Sequence, residues 1–159
     1  MIEFMVLTLP RSASTWMSNW LTTDNTLCIH DPLEYTTYYE LDHTETKQTL
    51  GISCTAGFLF WEKMNQHPAR KVMVHRDLEE INQSMNTLGF PQMTKEHHEM
   101  LYKVEGLHVT MEEVFKYPKQ IYEYLLNKEF NQERFNELVR MEINPDFSKI
   151  KILKEYGLC

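Results

Sequence analysis

Glycine is scarce in this chain, with five in 159 residues. The pattern GxxxxGK[ST] is absent, which disfavours a standard ATP- or GTP-hydrolysing phosphate loop. Cysteine is nearly as rare: Cys28, Cys54 and Cys159 form an odd, widely spaced set with no CxxC pair. That set excludes a disulfide framework and reads as reduced thiols, with Cys28 and Cys54 buried in apolar runs. No stretch of eighteen apolar residues exists, so no membrane span is expected. The opening Met1-Ile2-Glu3-Phe4 lacks the charged and apolar regions of a signal peptide, which predicts a cytoplasmic protein. A basic face is missing too. Lys and Arg number 16 against 23 Asp and Glu, for a net charge of −7, which argues against nucleic acid or an anionic membrane as partner. A small phosphorylated ligand stays compatible, because a few local donors suffice to hold one. No internal repeat or low-complexity linker interrupts the chain, so residues 1–159 are read as one domain.

Short apolar runs alternate with longer helical patterns. Strands are predicted near Phe4–Leu9, Leu27–His30, Gly51–Cys54, Lys71–His75 and Leu107–Thr110. Helices are predicted over Thr15–Leu21, Ala56–Asn65, Leu78–Leu88, Pro118–Asn127 and Gln132–Met141, each with an apolar stripe. This alternation predicts a three-layer α/β fold, with a mostly parallel central sheet of about five strands flanked by helices. Right-handed crossovers then bring residues 11–15, 30–34, 54–56 and 76–78 to one rim, at the carboxyl ends of the strands. Residues 33–50 mix Tyr35, Tyr38 and Tyr39 with Glu34, Glu40, Asp42 and Glu45, and are read as a candidate cap over that rim.

Two segments carry the strongest chemical signal. In the first, an apolar strand runs through Pro10-Arg11-Ser12-Ala13-Ser14-Thr15-Trp16 into an amphipathic helix. A turn of this kind points several amides at one spot, and the helix N-terminus adds partial positive charge. Ser12, Ser14 and Thr15 add hydroxyls and Arg11 a fixed cation, making a nest for a terminal phosphate. In the second, Val72-Met73-Val74-His75-Arg76-Asp77 ends a strand, and Ser84 follows Arg76 by eight residues on a helix. One phosphate bridges Arg76 and Ser84 only if that helix passes back across the rim.

The first segment resembles the 5′-phosphosulfate loop of sulfotransferases, Pro-Arg/Lys-Ser-Gly-Ser/Thr-Thr-Trp, with Ala13 where the family usually has glycine. If that position needs a positive φ, alanine there is strained. The Arg76–Ser84 pair resembles the same family's 3′-phosphate site. Leu27-Cys28-Ile29-His30-Asp31-Pro32-Leu33 is similar to a His-Glu-Pro stretch of bacterial members. Gly51–Cys54 and residues 107–115 resemble the strands that follow. The family's late Gly-rich segment with its Arg and Lys has no counterpart. The resemblance implies a P-loop-like sulfotransferase fold, with PAPS (3′-phosphoadenosine 5′-phosphosulfate) as donor, PAP as product, and no metal. The sulfuryl group would pass by in-line displacement to a hydroxyl or amine of a small-molecule acceptor. Ser12, Ala13, Ser14, Thr15 and Trp16 would cradle the 5′-phosphosulfate, and Arg76 with Ser84 would hold the 3′-phosphate. Arg11 would stabilise charge on the departing phosphate.

Three residues compete as the base. Asp31 stands at the family's glutamate position, His30 is the rival because histidine's unperturbed pKa lies near neutrality, and Glu34 is a third option. Two other functions fit the same chain: a non-catalytic nucleotide-binding or protein-interaction module that keeps the fold, and a different P-loop kinase-like enzyme. His97, His98 and His108 lack a zinc-binding spacing and are read as exposed polar positions.

Overall fold

The structure is a computed structural model that describes residues 1–141 apart from Tyr35 and Thr44. Cys159 and Tyr35 therefore lie outside the described residues. Five parallel strands, β1 (Phe4–Thr8), β2 (Thr26–His30), β3 (Thr49–Cys54), β4 (Arg70–His75) and β5 (Leu107–Thr110), form one sheet in the order β2-β3-β1-β4-β5. Every residue of the central β1 is buried, which explains its unbroken apolar run: a strand covered on both faces has no reason to alternate.

Among the described residues, eight α-helices flank the sheet: α1 (Ser14–Leu21), α2 (Tyr38–Asp42), α3 (Trp61–Gln66), α4 (Leu78–Thr87), α5 (Lys95–Tyr102), α6 (Met111–Lys116), α7 (Pro118–Leu126) and α8 (Gln132–Arg140). One face packs Met5, Leu7, Ile52 and Met73 against Leu41, Phe58, Met64, Ile81, Met85 and Leu101. The other packs Phe4, Val6, Cys28, Val72 and Val74 against Met17, Trp20, Ile121, Leu125 and Phe135. Trp20 is the largest fully buried side chain and sits among the rings of Tyr122, Phe130 and Phe135 at 5.3–6.3 Å. Burying such rings supplies a large share of the packing energy. Gly51 is required for steric reasons. The Phe4 ring lies over it in the adjacent strand, and a Cβ there would meet Phe4 Cζ at 2.1 Å.

The topology locates the rim. The loop after β1 leads to α1 on one face, whereas the loop after the neighbouring β4 leads to α4 on the other. The two loops diverge at the carboxyl ends of β1 and β4, the usual ligand position in open α/β sheets.

Two expectations are corrected. Residues 56–65 do not form one helix: a 3-10 turn at Gly57–Phe60 precedes α3. Gly57 lies against Leu7, where a Cβ would meet Cδ2 at 2.7 Å, so the chain hugs β1 before the α-helix starts. The 33–50 segment does not cap the rim. A 3-10 turn at Pro32–Glu34 starts there, but α2 lies at the opposite edge, where Asp42 Oδ1 accepts from the Ile2 amide and contacts His67 Nε2. Because β2 and β3 are parallel, their connection must travel the length of the sheet, and this segment is that return path. Cys28 and Cys54 are buried free thiols, as expected, and burial pushes both thiols up, Cys54 to about 11. Neither is a nucleophile near neutral pH. No helix among the described residues is long and apolar enough to cross a membrane.

Candidate functional site

The loop after β1 has an unusual backbone. Arg11 and Ala13 both adopt the left-handed conformation, with φ of 64° and 66°, while Ser12 between them does not. Alternating handedness turns successive amides toward one side and makes an anion-binding concavity. Ala13 is the N-cap of α1, and no side chain caps the helix. The first-turn amides, which have no partner within a helix, are therefore left without a side-chain acceptor. At eight residues, α1 is long enough for its dipole to add to their pull on an anion. The left-handed alanine that the motif comparison raised is thus observed, at a backbone cost of about 1–2 kcal/mol.

The second segment meets this loop directly. Arg76 ends the rim of β4, and its Nη1–H donates to the Arg11 carbonyl oxygen at 2.7 Å. Its Nε–H donates to Glu80 Oε2 at 3.0 Å, one turn into α4. Arg11 Nε–H donates to Ser84 Oγ at 2.9 Å. α4 therefore does pass back across the rim, and Arg11, Arg76 and Ser84 form one connected group. Asp77 caps α4 by accepting from the Glu79 and Glu80 amides, which fixes the direction in which the helix leaves β4.

The third side of the rim is built by the ends of β2 and β3. His30 Nε2 lies 3.0 Å from Ser14 Oγ, 3.2 Å from Thr15 Oγ1 and 3.3 Å from Asp31 Oδ2. One imidazole nitrogen thus faces both hydroxyls that open α1. Asp31, left-handed at φ 42°, is held by the other strand: its Oδ1 accepts from the Thr55 amide at 2.6 Å and the Thr55 hydroxyl at 3.0 Å. Its own amide donates to Ser53 O, and Ser53 Oγ donates to Ser14 O. Glu34 is exposed at the end of its 3-10 turn. Ser12 is fully buried under the loop. Trp16 points away from the rim into the aromatic cluster, where Nε1–H donates to Leu138 O and the ring packs on Phe115 at 4.9 Å.

His97, His98 and His108 are half-buried rather than exposed, which corrects the expectation. His97 completes a capping box with Thr94 and meets the edge of Phe58. His75, the last residue of β4, stacks on Tyr102 at 4.1 Å, and its Nε2 lies 2.8 Å from His108 Nδ1. His108 Nε2–H donates to Val104 O, so with both rings neutral His75 carries its proton on Nε2. Burial, then His108 and His98, push His75 down to about 4. His75 Nδ1 and His98 Nε2 are buried without a hydrogen-bond partner among the described residues. Among those residues, no group of three or more His, Cys, Asp or Glu is arranged to hold a metal ion.

Sequence reasoning did not single out Thr55 and Glu80. Glu80 was findable, because an acid four residues after an arginine on a helix is within its reach. Thr55 was not, since its partner is 24 residues away on another strand.

The fold is a P-loop-like α/β architecture with a five-strand parallel sheet, of the kind a sulfotransferase adopts. Its architecture is similar to the crystal structure of mouse sulfotransferase SULT7A1 complexed with PAP, with a TM-score of 0.52 and 14% identity. The match covers 87% of this chain and 63% of that one, so this chain spans about three fifths of the mouse protein's length. No protein-family model matches the chain, and no curated protein matches its sequence.

Proposed function

We propose that this chain is a PAPS-dependent sulfotransferase acting on a hydroxyl or amine acceptor. The observation that carries the reading is the direct joining of the two motifs: Arg11 reaches Ser84 while Arg76 reaches Arg11. Residues 65 and 73 positions apart, matched to opposite ends of one nucleotide, thus meet on one rim. The residues present fit the donor. Alternating left-handed residues at 11 and 13 and an uncapped helix start suit a phosphosulfate, and two guanidinium groups suit its phosphates.

When bound, PAPS supplies an activated sulfuryl group on a phosphate leaving group. In-line transfer would form a bond from the acceptor's oxygen or nitrogen to sulfur and break the bond between sulfur and the bridging phosphate oxygen. The protein contributes position and charge, as in phosphoryl transfer. Loop amides and the Arg11 guanidinium receive the charge that grows on the leaving phosphate. Arg76 and Ser84 anchor the 3′-phosphate. His30 Nε2 takes the acceptor's proton, since it already faces the two hydroxyls that open the phosphate loop. Asp31 Oδ1 is occupied by Thr55, and its Oδ2 lies beside the same His30 nitrogen, where it stabilises the imidazolium formed on proton uptake rather than acting as the base.

A nucleotide thermal-shift panel with PAP, ATP and GTP tests binding. A ligand at a hundredfold its dissociation constant adds about 2.7 kcal/mol of stability. A shift with PAP supports the reading, and a shift with ATP alone points to a P-loop kinase-like enzyme. The occupied Asp31 carboxylate favours the second reading, a nucleotide-binding module without transfer. Labelled sulfate from PAPS appearing on an acceptor library, and vanishing in Arg11→Ala, rejects that module.

A further inference from the structure

Arg76 does more in this structure than present a charge to the rim. Two of its nitrogens are already committed: Nη1–H to the Arg11 carbonyl and Nε–H to Glu80. The carbonyl it holds belongs to a left-handed, non-glycine residue. Arg76 donates to that carbonyl from the β4 side and so helps to hold the peptide group in its orientation. Glu80 fixes the roll of the guanidinium plane, because a fork anchored at Nε has its Nη edge aimed in one direction. Arg76 is half-buried, whereas Glu80 stands well into solvent. The pair is therefore open to solvent and to a ligand.

We propose that Arg76 is a positioning residue for the first loop, aimed by Glu80, so that the two ends of the nucleotide site are mechanically coupled. The inference rests on the sulfotransferase reading only for the name of the ligand; the brace belongs to the free protein. A pure 3′-phosphate contact would leave the loop after β1 unchanged when removed. A brace would not: the amides of Ser12, Ala13, Ser14 and Thr15 would lose their common direction, and affinity would fall even for a nucleotide that has no 3′-phosphate.

The test uses hydrogen exchange on the full chain without nucleotide, comparing wild type with Arg76→Ala and the surface variant Glu80→Ala. Losing a charge-assisted hydrogen bond is expected to speed exchange over residues 11–15 about tenfold in Arg76→Ala. A smaller gain, about threefold, is expected in Glu80→Ala, with β1 exchange unchanged in both. Unchanged loop exchange overturns the brace. Equal acceleration in β1 marks global loosening and overturns it as well. A second arm measures binding of PAP and of adenosine 5′-phosphosulfate, which has no 3′-phosphate. The brace predicts that Arg76→Ala weakens both, and loss of PAP affinity alone contradicts it. Wild-type protein binding neither nucleotide sinks the sulfotransferase reading, while the exchange result still decides the brace.

Discussion

Arg11 Nε and Ser84 Oγ lie 2.9 Å apart, although 73 positions separate them in the chain. This contact ties the helix after β4 to the loop after β1. If the serine hydroxyl helps to orient the Arg11 guanidinium, Ser84→Ala will lower the transfer rate as well as PAP affinity. A loss of roughly tenfold in each is expected from one hydrogen bond to a charged group. Steady-state rates with labelled PAPS check this, and an unchanged kcat with a raised KM limits Ser84 to binding.

The imidazole of His30 is expected to matter more than the carboxylate beside it. His30→Gln should lower kcat by a factor of roughly 10²–10⁴, the usual worth of a positioned general base. Asp31→Asn keeps an oxygen for the Thr55 amide and hydroxyl and should cost roughly tenfold. The reverse order, read from kcat for the two variants, would move the base to Asp31.

The left-handed alanine invites a stabilising change. Ala13→Gly removes backbone strain of about 1–2 kcal/mol but gives up a partly buried methyl and adds unfolded-state entropy. The net expectation is a gain of about 0.5–1 kcal/mol, measured by urea unfolding. A loss would mean that the methyl's contacts outweigh the strain.

The pairing of Phe4 with Gly51 predicts the opposite sign. Gly51→Ala drives a Cβ into the ring and should cost about 3 kcal/mol or more. Combining it with Phe4→Leu should recover part of that loss, because the clash is between these two side chains. Urea unfolding of the single and double variants shows the coupling.

Acid should destabilise the fold through His75. Its folded pKa is pushed down to about 4 from an ordinary 6.5, so the folded chain prefers the neutral ring. Its contribution is fully present above pH 6.5 and fades as the pH falls toward 4. Over that window the loss reaches about 3 kcal/mol, at roughly 1.4 kcal/mol per pH unit. The groups facing it are His108, His98 and Tyr102, and none of them supplies a negative charge near neutral pH. Unfolding free energy measured from pH 7 to pH 4 should fall less steeply in His75→Phe.

The centre of the sheet was legible because β3, β1 and β4 are almost wholly buried and read as mostly apolar runs. Each observed strand lies within two residues of its expected bounds. The rim residues of β1 and β4 were legible because a strand end followed by a polar turn and a helix leaves little freedom of placement. What stayed hidden depends on side chains meeting from distant elements. The grip of Thr55 on Asp31 and the stacking of His75 with Tyr102 and His108 leave no local periodicity. The split of residues 56–65 follows from the approach of Gly57 to Leu7, a tertiary constraint that helical spacing cannot express. The path of residues 33–50 needed the strand directions before its destination could be known.

The most direct measurement is calorimetric binding of PAP to the wild-type chain, set beside adenosine 5′-phosphosulfate and ATP. PAP is expected to bind tightest, with the preference for its 3′-phosphate reduced about tenfold or more in Arg76→Ala. Binding of ATP with no heat from PAP would contradict the assignment of this rim to a 3′-phosphorylated donor.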